Sequence, residues 1–169
     1  MTQTTPRSRT FEWSDPAAYG PSLAAGATGL ELLKAMERGE LPAPPIMHLI
    51  GAEGIRVEEG SVSTFLQPKE FHYNPLGTVH GGIISTLLDT AAACSVHSTL
   101  PAGVGYTSLD LTVKFLRPVT VASGRLTCTG QVLQRGRRTA LAEARLTDDQ
   151  GRLAAHAITT CMIFEAPTP

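Results

Sequence analysis

The pattern of apolar and polar positions is dominated by one long apolar segment, residues 81–97. It begins with Gly81 and Gly82 and carries a single charged side chain, Asp89. Its aliphatic and small residues cover more than one stripe of a helical surface, so the pattern predicts a helix that the rest of the protein wraps on most sides. Asp89 would then lie among aliphatic side chains of the core.

Elsewhere the chain alternates apolar and polar residues, as is typical of β-strands. The alternation begins after Pro44 and Pro45, which are expected to force an extended link, and strands are predicted from Ile46 onward. The predicted strands cover a hairpin at residues 55–66, then residues 109–115, 125–134 and 138–147, and a last strand that ends near residue 164. Five or six antiparallel strands with one long helix inserted early predict an α+β fold, in which a curved sheet wraps around the helix.

The first 45 residues are interpreted as an N-terminal arm with one short helix, and residues 46–169 as the main domain. Thr28 and Glu31 have the spacing of a capping box, in which each side chain satisfies a backbone donor near the other residue. A helix of about three turns is therefore predicted to start at this point, and Gly39 is a suitable place for it to end.

Composition and charge narrow the classes of function. A hydrophobic content of 42% and a net charge of −1 indicate an ordinary soluble domain, and without a basic excess no nucleic-acid partner is expected. No segment approaches the ~20 apolar residues that a membrane span needs, and the N-terminus lacks an apolar signal core, so a cytoplasmic protein is expected. The three cysteines are interpreted as reduced core residues, and the histidine spacing favours no metal site.

Two features of the long helix suggest chemistry. The N–H groups at its start, near Gly81, have no partner within the helix and favour negative or developing negative charge. Asp89 is interpreted either as a carboxylate that hydrogen-bonds a neighbouring loop or as a base or nucleophile. Eight residues separate the two, about 12 Å along a helix, so both can act on one bond only if two subunits contribute to each site. A homodimer is therefore expected.

The order of these residues resembles a known family. His80, Gly81 and Gly82, followed by Asp89 on the next helix and preceded by Asn74, are similar to the hotdog-fold acyl-CoA thioesterases of the PaaI-like (phenylacetyl-CoA thioesterase) type. The resemblance continues through residues 106–118 and 133–157 and covers roughly residues 46–164. It implies a hotdog fold, hydrolysis of a CoA thioester, and homodimers that often pair into homotetramers.

The resemblance also implies roles for individual residues. Gly81 would offer its N–H to the thioester carbonyl, and Asp89 of the partner subunit would be the base or nucleophile. Asn74 would lie beside the thioester or a water molecule, and His80 would order the loop or bind near the acyl carbonyl, with a satisfied core histidine as the alternative.

A hydroxyl near the acid is also implied, and the sequence offers two candidates. Alignment to the family favours Ser108, whereas strict strand alternation favours Thr107. Ser108 is chosen, because a β-bulge at the start of the strand would reconcile the two arguments.

The substrate is expected to be an acyl-CoA, and the reaction needs no separate cofactor because CoA is part of the substrate. Its phosphates call for arginines or backbone donors. The substrate-binding candidates are Gly82, Arg117, Gly136, Arg137 and Arg138. The alternatives are a non-catalytic acyl-CoA-binding protein and a hotdog hydratase or dehydratase, and the sequence does not disclose the acyl group.

Overall fold

The structure, a computed structural model, describes residues 5–24 and 26–165. The first four residues of the predicted arm and the last four of the predicted domain lie outside the described residues. The helices are α1 (Gly20–Ala24), α2 (Gly29–Glu37), α3 (Pro45–Ile50) and α4 (Gly81–His97). The strands are β1 (Ala52–Glu58), β2 (Ser61–Leu66), β3 (Val104–Ser108), β4 (Thr112–Phe115), β5 (Leu126–Arg135), β6 (Thr139–Thr147) and β7 (Leu153–Glu165).

All the strands form one antiparallel sheet around α4. The strand order is β1-β2-β5-β6-β7-β3, and β4 pairs with β7 beyond the end of β3, so the sheet has six strand positions. Helix α4 packs against β2, β3, β5, β6 and β7, which it can do only because the sheet curves around it. The predicted fold class is therefore confirmed. None of the described helices combines the length and apolarity that crossing a bilayer requires.

Small residues on the inner face of the sheet let α4 approach closely. A side chain at Gly130 would place its Cβ 2.1 Å from the carbonyl oxygen of Ala91 in α4, so only glycine fits there. Ala142, Ala144 and Ala157 are fully buried on the neighbouring strands. The helix is thereby held in one position relative to the sheet.

Helix α2 begins and ends as predicted. Thr28 and Glu31 form the capping box, and the helix is followed by Gly39 in a left-handed conformation. Leu33 packs against Val57 and Val62 in a second apolar cluster. The division into an arm and a main domain at residue 46 stays a prediction.

The predicted extended link is confirmed at Pro44, whose φ of −59° and ψ of 147° are extended. At Pro45 the link is wrong, and so is the strand from Ile46 onward, because these residues form α3. Pro45 stands in the first turn of this helix, where a missing N–H removes no hydrogen bond. Gly51, with a φ of 72°, ends the helix in a left-handed conformation. The strand predicted from this region begins only at β1.

The strand predicted over residues 109–115 begins only at Thr112, as β4, because residues 109–111 lie between β3 and β4. Ser108 pairs with Cys161, and Thr112 pairs with Ile158. Between these two pairs the edge advances by four residues while β7 advances by only three. The extra residue forms a bulge, and the carboxylate of Asp110 within it accepts the Thr160 N–H at 3.0 Å.

Candidate active site

The start of α4 is fixed by His80. Its Nδ1 accepts the N–H of Gly82 at 2.9 Å, so the histidine is the N-cap of the helix. The ring is exposed, and the alternative of a core histidine is therefore wrong. Within the described residues the Gly81 N–H has no hydrogen-bond partner, which leaves one donor at the positive end of the helix available.

Gly81 lines an open cleft of about 350 Å³ together with Asn74, Phe115 and Arg117. The Phe115 ring lies against the helix start, with its Cζ 3.1 Å from the position that a Cβ on Gly81 would occupy. The Asn74 carboxamide accepts the N–H groups of Leu76 and Thr78, so it holds the loop before the helix in shape. This cleft, called the polar cleft because it contains the Asn74 and Arg117 side chains, also has apolar lining such as Val119. It is built by the loop, the helix start and the end of β4.

Asp89 lies two turns further along α4, at the end of β3. It is half-buried, and its Oδ1 accepts the Ser108 hydroxyl at 2.8 Å. Thr107 is exposed and lines a cleft beside Asp89, but the hydroxyl that bonds the acid is that of Ser108. The bulge after Ser108 explains why strict alternation along this edge selects the wrong hydroxyl.

A second, mostly apolar cleft of about 600 Å³ opens beside Asp89 and is lined by Met47, Cys94 and Tyr106 among others. Burial raises the pKa of the Cys94 thiol to about 11 and also raises the pKa of Tyr106, so both side chains are neutral near pH 7. Burial lowers the pKa of His97, whose ring centroid lies 4.9 Å from that of Tyr106. The Asp89 carboxylate therefore has neutral neighbours in this cleft.

The arginines of the β5–β6 turn lie near the Asp89 end of the sheet. Ala140, just after the turn, pairs with Cys161, and Cys161 pairs with Ser108. Ala140 is consequently two strands from Ser108, roughly 10 Å across the sheet, and the turn lies further along, just before β6. Arg137 and Arg138 are exposed there, and the Gly136 N–H closes the turn by donating to Thr139.

The predicted site residues thus form two groups within one chain. The group at the helix start contains Asn74, His80, Gly81, Gly82 and Arg117, and the other group contains Asp89, Ser108, Gly136, Arg137 and Arg138. Gly81 and Asp89 belong to the same unbroken helix and are about 12 Å apart along it. A single chain does not bring them together.

Sequence reasoning missed three residues that line the clefts. Phe115 was interpreted only as an alternating strand residue, although its ring covers Gly81. Tyr106 and Cys94 gave no sequence signal, because their contact depends on how β3 packs on α4.

Among the residues that the structure describes, no group of three or more His, Cys, Asp or Glu side chains could hold a metal ion.

Comparisons with known proteins support the fold. The thioesterase superfamily profile matches residues 76–155. A phenylacetic acid degradation-related protein of Ralstonia eutropha superposes with a TM-score of 0.69 at 33% identity, covering 77% of this chain and 98% of that chain. The Escherichia coli PaaI protein has a similar fold, with a TM-score of 0.66 at 24% identity over 73% of this chain and 86% of that chain. These likenesses confirm the predicted hotdog fold.

Sequence relatives cover shorter regions. Acyl-coenzyme A thioesterase 13 of Mus musculus is 30% identical over 83 residues, which are 49% of this chain and 58% of that protein. The chain spans about half the length of the first two curated relatives that it matches, 58% of one and 44% of the other. The superfamily match at residues 76–155 contains helix α4, which carries both Gly81 and Asp89.

Proposed function

Because this chain belongs to the thioesterase superfamily and resembles its PaaI-like members, we propose that it is an acyl-CoA thioesterase. It hydrolyses a CoA thioester to the free acid and CoA. The observation that carries the proposal is that one helix holds both the Gly81 N–H, which has no partner among the residues that the structure describes, and the Asp89 carboxylate, which Ser108 holds in place.

The proposed site forms between two copies of the chain. Strands β3 and β4 form one edge of the sheet, which exposes apolar side chains such as Leu109 (57% exposed) and Phe115 (56%). Ser108 marks the Asp89 end of this edge, and Phe115 marks the Gly81 end. In a dimer with a two-fold axis, this edge would pair antiparallel with the same edge of the second copy. The Asp89 end of each copy would then lie beside the Gly81 end of the other. Gly81 of each copy then faces the Asp89 of its partner.

The same proposal extends to larger assemblies. Leu141, Ile158 and Met162 expose apolar surface on neighbouring positions of β6 and β7. Burying this surface between two dimers would give the homotetramer that the family resemblance implies.

The chemistry follows from the two groups. Asp89 either attacks the thioester carbonyl carbon itself or removes a proton from a water molecule that attacks it. The carbonyl oxygen becomes negative in the tetrahedral intermediate, and the partner's Gly81 N–H donates to it at the positive end of α4. The C–S bond then breaks, and CoA leaves as a thiolate that takes up a proton. If Asp89 was acylated, water hydrolyses the anhydride and restores the carboxylate.

The arginines are proposed to bind the nucleotide part of CoA. Arg137 and Arg138 are exposed on one turn, and Arg117 lies in the polar cleft beside Gly81. Guanidinium groups suit phosphate because they donate two parallel hydrogen bonds.

The direct test is a panel of CoA thioesters with short, medium and aromatic acyl groups, assayed by detection of the released thiol. At least one member should be turned over, and the Asp89→Asn protein should serve as the inactive control. Thiol release no faster than with that control, in a protein that still binds acyl-CoA, would contradict hydrolysis and favour an acyl-CoA-binding protein instead.

A further inference from the structure

The N-terminal arm is docked against α3 and the loop before α4 by specific contacts. The Arg9 guanidinium donates to the carbonyl oxygens of His48 at 2.8 Å and Leu49 at 2.6 Å, in the last turn of α3. It also lies 4.3 Å from the centroid of the Phe71 ring, which is within the range of a cation–π contact. Arg7 makes an ion pair with Glu70 nearby. The arm therefore runs along α3 and the loop that leads to α4.

An apolar cavity of about 710 Å³ lies beneath this arm and has a volume typical of small-molecule sites. Arg9 and Phe11 of the arm line it together with Ile83 and Thr86 of α4. Ile46, Leu49 and Phe71 supply further apolar surface. The proposed reaction uses none of these apolar side chains. The lining therefore fits an apolar ligand.

The start of α4 separates this cavity from the polar cleft. Gly81 lines the polar cleft with Asn74 and Arg117, whereas Gly82 lines the cavity under the arm. A thioester that places its carbonyl oxygen on the Gly81 N–H has one polar branch, the pantetheine and nucleotide, and one apolar branch, the acyl group. The cleft at Gly81 carries the polar side chains of Asn74 and Arg117 among apolar residues, whereas the cavity under the arm is lined mainly by apolar residues. The acyl branch therefore fits the cavity under the arm.

We propose that the acyl group of the substrate occupies the cavity beneath the N-terminal arm, and that Phe11 determines which acyl groups fit. This inference rests on the thioesterase function proposed above. The arm lies outside the region that matches the thioesterase superfamily, so the acyl preference would be a property of this chain rather than of the family fold.

Trp13 offers a spectroscopic test of the proposal. It is the single tryptophan of the chain, it is 58% exposed, and its ring centroid lies 5.5 Å from that of Phe11. Coenzyme A and its S-alkyl thioethers of increasing alkyl length would be titrated into the full-length protein. Tryptophan emission should change saturably with the long thioethers and hardly at all with coenzyme A itself. Affinity measured by calorimetry should rise with alkyl length.

Matched variants locate the alkyl group. Phe11→Ala should weaken binding of long S-alkyl thioethers by about 10-fold while leaving the affinity for coenzyme A unchanged, because only the apolar branch contacts this ring. Glu12→Ala, in an exposed neighbour that does not line the cavity, should bind every ligand as the wild type does.

The thioethers contain no cleavable bond, so the test does not depend on turnover. Equal affinities of Phe11→Ala and wild type for all alkyl lengths would overturn the proposal, and would be expected if the acyl group lay beside Asp89 instead. A protein that turned over no CoA thioester but showed the Phe11-dependent binding would lose the proposed reaction and keep the acyl site.

Discussion

The shared site predicts that two inactive variants restore each other. Asp89→Asn removes the base or nucleophile but keeps an oxygen that can accept the Ser108 hydrogen bond, so the fold should be unaffected. Gly81→Val adds a branched side chain where a Cβ alone would lie 3.1 Å from the Phe115 ring, and so blocks the carbonyl position. Asp89→Asn should lower kcat by ~10²–10⁴, or about 3–5 kcal/mol of barrier. Gly81→Val should lower it by at least ~10².

The size of the recovery follows from the geometry of α4. Gly81 and Asp89 lie about 12 Å apart along this helix, so each site must take one group from each chain. A hybrid of the two variants has one site with both intact groups and one site with neither. Equal random mixing makes half of the dimers hybrids, and about a quarter of wild-type turnover should return. A purified hybrid should reach about half.

The hybrids would be prepared by co-expression with two affinity tags and assayed by thiol release. Hybrids between two differently tagged Asp89→Asn chains control for the tags and for contamination by wild-type protein. If each chain carried a complete site of its own, no hybrid would contain an intact one, since every chain carries a lesion. Verified hybrids that were no more active than either parent would therefore refute the shared site.

Three further predictions concern substrate binding, packing and pH. Replacing Arg137 and Arg138 by Gln should raise KM for CoA thioesters by about 10-fold and hardly affect small thioesters without a nucleotide; equal effects on both would remove this assignment. Gly130→Ala should lower the free energy of unfolding by about 1–3 kcal/mol or more in urea titrations, because the new Cβ meets the α4 backbone, whereas Gly20→Ala, with open space around it, should not. Burial lowers the pKa of His72, whose Nδ1 must stay unprotonated to accept the Lys69 N–H. The unfolded chain therefore binds this proton first, and stability should fall as the pH drops below about 6.5; a flat profile between pH 7 and 5.5 would contradict this.

The elements that the sequence predicted correctly are those with long or chemically specific patterns. Helix α4 has 17 residues, begins with two glycines and is mainly apolar, and α2 has a capping box, so neither depends on tertiary context for its detection. Helix α3 has only six residues, too few to show a helical period, and its prolines suggested an extended chain. The choice between Thr107 and Ser108 depended on a single extra residue in the β3–β4 edge, which strict alternation does not reveal.

The difference that matters most for function lies on α4 itself. The sequence predicted a helix wrapped on most sides with Asp89 among aliphatic side chains, but one stripe of α4 is only half-buried in the single chain: Ser85, Thr86, Asp89 and Thr90. Ser85 and Asp89 are four residues apart, as are Thr86 and Thr90, so the sequence already indicated that these polar residues share one side of the helix. Leu87 and Leu88, on the apolar faces, are fully buried. The sheet covers the apolar faces and leaves the polar stripe beside the exposed edge of β3 and β4. A second copy at this edge would cover the stripe, and the hydrophobic gain would come from the exposed apolar side chains of the edge, such as Leu109 and Phe115. Since the stripe contains Asp89, the surface that the single chain leaves open is the one at which this acid would meet its partner's Gly81.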